Sequence, residues 1–145
     1  MTRIGFYHLQ SESEEARLHF ACRLAERAWR SGQKVYIHTG EEQRTRELDA
    51  LLWSYRDDSF LPHRVVAADD VSLADDPILL GYEAEPDGSR PVLIQLAPSN
   101  EGPVFFSRFK RTLEVINEEP QVKAAARQRY RFYKDRGYPL EYHEI

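Results

Sequence analysis

The 145 residues carry 24 acidic and 20 basic side chains, a net charge of −4, so a wide surface tracking nucleic-acid phosphates would have to be built against the overall field, and no direct nucleic-acid binding is expected. A chain of this length forms one core that removes about 70% of its unfolded surface from water, and we read residues 1–145 as a single domain. The lone Cys22 excludes an intramolecular disulfide, no apolar run of about 20 residues suggests a membrane span, and the start MTRIGFYHLQ lacks the apolar stretch of a secretory signal, so a cytoplasmic chain is expected.

Arg3 to Leu9 is a short apolar and aromatic run that predicts a buried first strand. Ser11-Glu12-Ser13-Glu14 offers a capping box, and Leu18, Ala21, Cys22, Ala25, Ala28 and Trp29 recur as one face of a helix closed by Gly32. Lys34 to Thr39 predicts a second strand, so the opening reads as a βαβ unit. Glu42 to Tyr55 predicts a second helix with the stripe Leu48, Leu51, Leu52 and Tyr55, and Trp53 falls off that stripe.

From Ser54 to Asp76 the pattern turns irregular and acidic, interrupted by Phe60-Leu61-Pro62-His63 and a possible short strand in RVVA. The runs PILLGY and PVLIQL flank a Pro-Asp-Gly turn signal, and either pair as a hairpin or lie apart in the sheet. PVLIQL is apolar enough for a central strand buried on both faces. Phe105, Phe106 and Phe109 suggest a short helix, and Leu113 to Ile116 either continues it or forms an edge strand, the strand being favoured. The whole is α/β, a mostly parallel sheet with helices on both faces.

The segment from Pro120 to Gly137 carries two faces. Val122, Ala125, Ala126, Phe132 and Tyr133 form a stripe suited to a core. Lys123, Arg127, Tyr130, Arg131 and Lys134 recur three and four apart on another side, four cations around one aromatic. Such a site on an acidic chain suits a small acidic partner; the same spacing also describes an ordinary solvated helix face.

The motifs of nucleotide chemistry are missing. There is no G-x-x-x-x-G-K-[ST], and YHLQSESEEA after the first strand has no glycine, so no nucleotide or other cofactor is expected. His8, His19, His38, His63 and His143 show no metal-ligand spacing, and Cys22 lies in a core stripe, as a small buried hydrophobe does. Asp57-Asp58 and the run from Asp69-Asp70 to Asp75-Asp76 read as loop caps or solvated turns. The one hint of catalysis is His8 and His38, read as ending neighbouring strands of the βαβ unit at the sheet edge where such folds bind ligands; a small α/β enzyme or nucleotide-binding protein is the alternative reading.

The elements WRSGQKVYIHTG, LDALLWSYRDDSFLPH and KAAARQRYRFYKDRGYPL, in this order and in a chain of this length, resemble the chi subunit family of bacterial DNA polymerase III. The resemblance is strongest in W-x-x-x-x-x-S-F-x-P-H and in the last basic helix. It implies a Rossmann-like single domain without catalysis, which binds the psi subunit of the clamp-loader assembly and the acidic C-terminal tail of single-stranded DNA-binding protein. The implied tail-binding residues are Lys123, Arg127, Tyr130 and Arg131, with Ile116 as apolar neighbour. The implied surface for psi, or for a repair helicase that competes with it, is Trp53, Phe60, Pro62 and His63.

Overall fold

Short β-branched and aromatic runs alternate with amphipathic helical stretches, and each becomes an element of the computed structural model, which describes residues 1–54, 61–67, 75–86 and 88–145. In chain order these are β1 (Arg3–His8), α1 (Glu14–Arg30), β2 (Val35–His38), α2 (Glu42–Ser54), β3 (His63–Val65), β4 (Ile78–Gly81), β5 (Val92–Gln95), a 3-10 turn (Phe106–Arg108), β6 (Arg111–Ile116), α3 (Pro120–Asp135) and β7 (Leu140–Glu144). The strands form one parallel sheet in the order β3-β4-β2-β5-β6-β1-β7.

Strand alternation divides the core. Val35 and Ile37 of β2, Val92 and Ile94 of β5, and Leu113 and Val115 of β6 pack under α1 and α2, against Leu18, Ala21, Cys22, Ala25, Leu48 and Leu52. Tyr36, Leu93, Phe6 and Ile116 point to the other face and meet α3 and the Phe105, Phe106 and Phe109 cluster. The expected α/β class with helices on both faces is the observed one, and every strand pair is parallel.

Several local expectations are corrected. The first two strands are not neighbours, because β5 and β6 lie between β1 and β2. PILLGY and PVLIQL make no hairpin; β4 and β5 flank β2 on opposite sides, both parallel to it. The strand around Leu113 to Ile116 is interior, between β5 and β1, while the edge belongs to β7, whose LEYHE sequence is largely exposed and lacks a strand's apolar signature. The cap of α1 is Ser13, whose Oγ accepts from the Ala16 N–H at 3.1 Å. Ser11 does not form the expected box, because the helix starts at Glu14, which is its first residue and not its third; the Ser11 Oγ accepts from the Ser13 N–H at 3.0 Å, and Glu14 is engaged by Arg17 at 2.7 Å and by Arg44 at 3.0 Å. Gly32 closes α1 at φ +77°, a conformation that costs glycine nothing. In α2, Leu48 and Leu52 are buried together with Thr45, whereas Leu51 is half-buried and Tyr55 lies outside the described residues.

The two layers around α3 are joined by one buried carboxylate. Glu114, in the middle of β6, is fully buried and takes Arg129 Nε at 2.9 Å on one oxygen and the Tyr133 hydroxyl at 2.7 Å on the other. Arg129 also donates to the Ser99 carbonyl at 2.7 Å. The positive charge of Arg129 and the negative one of Glu114 are therefore both desolvated and both hydrogen-bonded, the condition under which a buried pair is tolerated. Glu114→Ala is expected to cost about 3–5 kcal/mol in denaturant unfolding, because it leaves the buried Arg129 charge without its counter-charge, while Tyr133→Phe is expected to cost only about 1 kcal/mol. Equal small losses in both would show that the pair does not hold α3.

His38 ends β2 beneath Phe105, ring centroids 5.1 Å apart, and its Nδ1 is buried without a partner. Burial disfavours the imidazolium and lowers its pKa from 6.5 to about 4. The unfolded chain thus binds a proton that the folded chain refuses, so stability is full above about pH 6.5 and falls as the pH drops toward 4. Melting of the parent between these limits should fall by up to about 3 kcal/mol more than that of His38→Asn; parallel pH profiles would rule this out.

Candidate functional site

Helix α3 begins with Pro120 behind a Glu119 cap, whose carboxylate accepts from the Val122 N–H at 3.0 Å. Its inward face is Ala125, Ala126, Arg129 and Tyr133. Val122 and Phe132, expected in that stripe, are half-buried. Arg129 is the inward residue that the sequence reading left out of the core stripe, although its place four residues from both Ala125 and Tyr133 put it there.

Turning Arg129 and Tyr133 inward leaves Lys123, Arg127, Tyr130, Arg131 and Lys134 around a cavity of about 520 Å³ between α3 and the β6, β1 and β7 end of the sheet. Ile116 and Ala126 form part of its apolar lining. Every residue of the expected tail-binding set is therefore brought together: Lys123, Arg127, Tyr130, Arg131 and Ile116. The cavity also contains residues absent from that set, Phe6, His8 and Tyr142. Phe6 lies 5.4 Å from Tyr130 and 6.2 Å from Tyr142, ring centroid to centroid, and Tyr130 and Tyr142 meet edge to face at 6.5 Å. Tyr142 belongs to β7, a strand without an apolar signature, so nothing local in the sequence marked it.

His8 is buried between the Tyr142 hydroxyl, bonded to Nδ1, and a Glu118 carboxylate oxygen, bonded to Nε2. The other Glu118 oxygen accepts from Lys123 Nζ at 3.3 Å. These two hydrogen bonds, His8 first, hold the Glu118 carboxyl below its usual range. Partial burial pushes the Tyr142 hydroxyl up, assisted by Glu144 and Glu118.

The availability of its cations separates this cavity from a second, more polar one of about 670 Å³ at the carboxyl edge of the sheet. There, Arg17 is spent on Glu14 and the Val115 carbonyl, Arg44 on Glu14 and Glu41, and Arg129 on Glu114. Arg127, Arg131 and Lys134 make no hydrogen bond or ion pair among the described residues and stand exposed. A cavity with an apolar floor and uncommitted cations at its rim takes an anion that carries an apolar group, with guanidinium forks suited to carboxylate.

At the far end of the sheet, Trp53 is 56% exposed on α2. Its indole packs against the His63 ring at 4.8 Å, and His63 is anchored by Asp49 at 3.0 Å and by the Leu61 carbonyl. The His63 side chain is itself buried, and it braces the indole. Pro62 is half-buried beside it; Phe60, Asp57-Asp58 and Asp69-Asp70 lie outside the described residues. Asp75 and Asp76 pair with Lys34 and Arg64.

The proposed pairing of strand-end histidines is not formed. His8 faces α3 from β1, while His38 lies beyond two intervening strands, under Phe105. Gly40, just beyond β2, packs so closely on the loop after β5 that a Cβ there would fall 2.5 Å from the Ala97 Cβ, which narrows the place where β2 and β5 part. Cys22 is buried, and its thiol is pushed up to about 12 by desolvation, the opposite of an activated nucleophile. Among the described residues no group of three or more His, Cys, Asp or Glu is placed to hold a metal ion, and no helix is long and apolar enough to cross a membrane.

Comparison with known proteins matches residues 1–141 to the family model described as DNA polymerase III chi subunit, HolC. A DNA polymerase III subunit chi from Pseudomonas aeruginosa is 43% identical over 145 residues, covering all of this chain and 98% of the relative. Those of Escherichia coli and Haemophilus influenzae are each 30% identical, over 82% and 83% of this chain and 79% and 81% of the relatives. With the whole fold spanned by these matches, the chain belongs to the DNA polymerase III chi subunit family.

Proposed function

We propose that this protein is a non-catalytic accessory subunit of bacterial DNA polymerase III, acting in the cytoplasm, that links the replicase through psi to the acidic C-terminal tail of single-stranded DNA-binding protein. The observation that carries this reading is the cavity under α3, where the uncommitted cations Arg127, Arg131 and Lys134 surround the aromatic floor of Phe6, Tyr130 and Tyr142 on a chain of net charge −4. A tail ending in acidic residues, an apolar side chain and a free carboxylate fits these features group by group. The apolar end enters between Tyr130 and Ile116, Arg127 grips a carboxylate through two N–H donors, and Arg131 and Lys123 add less directional attraction. Each such contact is weak, and tethering of several tails on one coated strand raises their effective concentration near Arg127.

The second contact, with psi or a competing repair helicase, is assigned to Trp53, Phe60, Pro62 and His63, the His63 ring holding the Trp53 indole in place. An exposed tryptophan braced by a buried histidine is well suited to anchor a partner. It lies with α2 and β3 at one end of the sheet, whereas the cavity lies with β1 and β7 at the other, so both partners can be held at once.

Reversing two charges, Lys123→Glu with Arg127→Glu, should leave assembly with psi intact and abolish retention of the assembled complex on single-stranded DNA coated by its binding protein. The measurement is retention across a salt series, with and without the coating protein. Equal retention of double mutant and parent, or parent retention that ignores the coating protein, would remove the bridge. Trp53→Ala should abolish psi capture in a pull-down while leaving affinity for an acidic tail peptide within about twofold, because distant sites with no shared partner act independently. A parallel loss of peptide affinity would show that the two ends are one site.

A further inference from the structure

The cations around the α3 cavity differ in one respect. Arg127, Arg131 and Lys134 have no anionic partner among the described residues, whereas Lys123 already holds a carboxylate, Glu118, at 3.3 Å. The same Glu118 side chain is bonded to Nε2 of His8, which lines the cavity. A carboxylate of the chain itself thus occupies the two groups that an incoming carboxylate would meet at that end.

Glu118 is also placed so that it cannot leave. Its backbone N–H donates to the Ser11 carbonyl at 2.8 Å. The residues on either side are fixed as well, Asn117 donating to the Ser13 carbonyl at 3.2 Å and accepting from the Glu119 N–H at 3.1 Å. Only the side chain can move, and it is about one-third exposed, so it can swing into water without dragging the α1 and α3 caps. Since its hydrogen bonds from His8 and Lys123 favour the ionised form, it bears its charge when a ligand arrives.

We propose that Glu118 is a built-in competitor at this cavity, holding Lys123 and His8 until a ligand carboxylate displaces it and thereby keeping the affinity for acidic peptides low. The proposal rests on the reading in which the cavity receives an acidic tail. Displacement exchanges one ion pair for another at Lys123, so a carboxylate reaching that end gains little, whereas one gripped by Arg127 and Arg131 gains in full. The device selects for the position of the charges in the ligand as well as their number, and it favours rapid release over a tight hold.

The test is calorimetric titration of the full chain, and of Glu118→Gln, with a synthetic peptide of several acidic residues ending in an aromatic residue and a free carboxylate. Glu118→Gln keeps the side-chain shape and removes the charge; it is expected to bind the peptide about two- to fivefold tighter, the range of one partly exposed ion pair. Glu118→Ala should shift affinity in the same direction, and in a Lys123→Ala background the gain should shrink toward nothing. Unchanged or weaker binding by both Glu118 variants, with normal melting curves, overturns the proposal and makes Glu118 a support for Lys123 and His8. If neither parent nor variants bind the peptide, the docking reading itself fails and this inference with it. Binding by the variants alone would be the strongest case of competition.

Discussion

The contact on which the cavity depends is the buried carboxylate of Glu114 with Arg129 and Tyr133. A helix laid on a sheet by apolar contacts alone can slide or roll at small cost, because methyl and methylene groups impose little direction. Two hydrogen bonds from residues one helical turn apart to the two oxygens of one carboxylate allow one rotation and one axial position. With Arg129 and Tyr133 turned inward, helical geometry leaves Arg127, Tyr130, Arg131 and Lys134 on the flank that overhangs β1 and β7. The pair brings little net stability, since both partners give up water to make it. Its contribution is the register of α3.

The same accounting of partners explains why an acidic chain can offer a positive site. Three of its buried or half-buried guanidinium groups are neutralised where they stand: Arg17 and Arg44 share Glu14, and Arg129 has Glu114. Those on the outer flank of α3 are not. Net charge is a sum over the whole surface, whereas a ligand feels the groups within about 8–10 Å of it at physiological salt. A local excess of cations survives on a chain of net charge −4 because Arg127, Arg131 and Lys134 have no carboxylate partner among the described residues, although Glu118 and Glu144 lie close by.

Parallel topology then separates the working ends. α2 and β3 bring Trp53 to one margin of the sheet, while β1, β6 and β7 carry the cavity at the other, with β4, β2 and β5 between them. These intervening strands are buried on both faces and rigid, so neither margin has to move for the other to be occupied. For the proposed adaptor that is a mechanical advantage.

Helical spacing by itself distinguished the two faces of α3, since three- and four-residue intervals map directly onto a cylinder, and it displaced Trp53 from its own helix stripe for the same reason. It also gave the α/β class, because apolar strand runs alternate with helical stretches and PVLIQL is apolar enough for a strand covered on both sides. What local pattern could not supply was adjacency. It placed β1 beside β2 and so joined His8 to His38, when pairing across the chain inserts β5 and β6 between them. It left β7 unseen, because an exposed edge strand needs few apolar residues, and with β7 it lost Tyr142. It assigned Arg129 to neither face of α3, since a buried charge is revealed only by its partner, and Glu114 lies 15 residues earlier in another element. Intervals along one helix are a property of the chain, and the sequence determined them; which strand lies next to which, and which carboxylate meets which cation, depends on contacts between distant segments, and only the tertiary structure decided those.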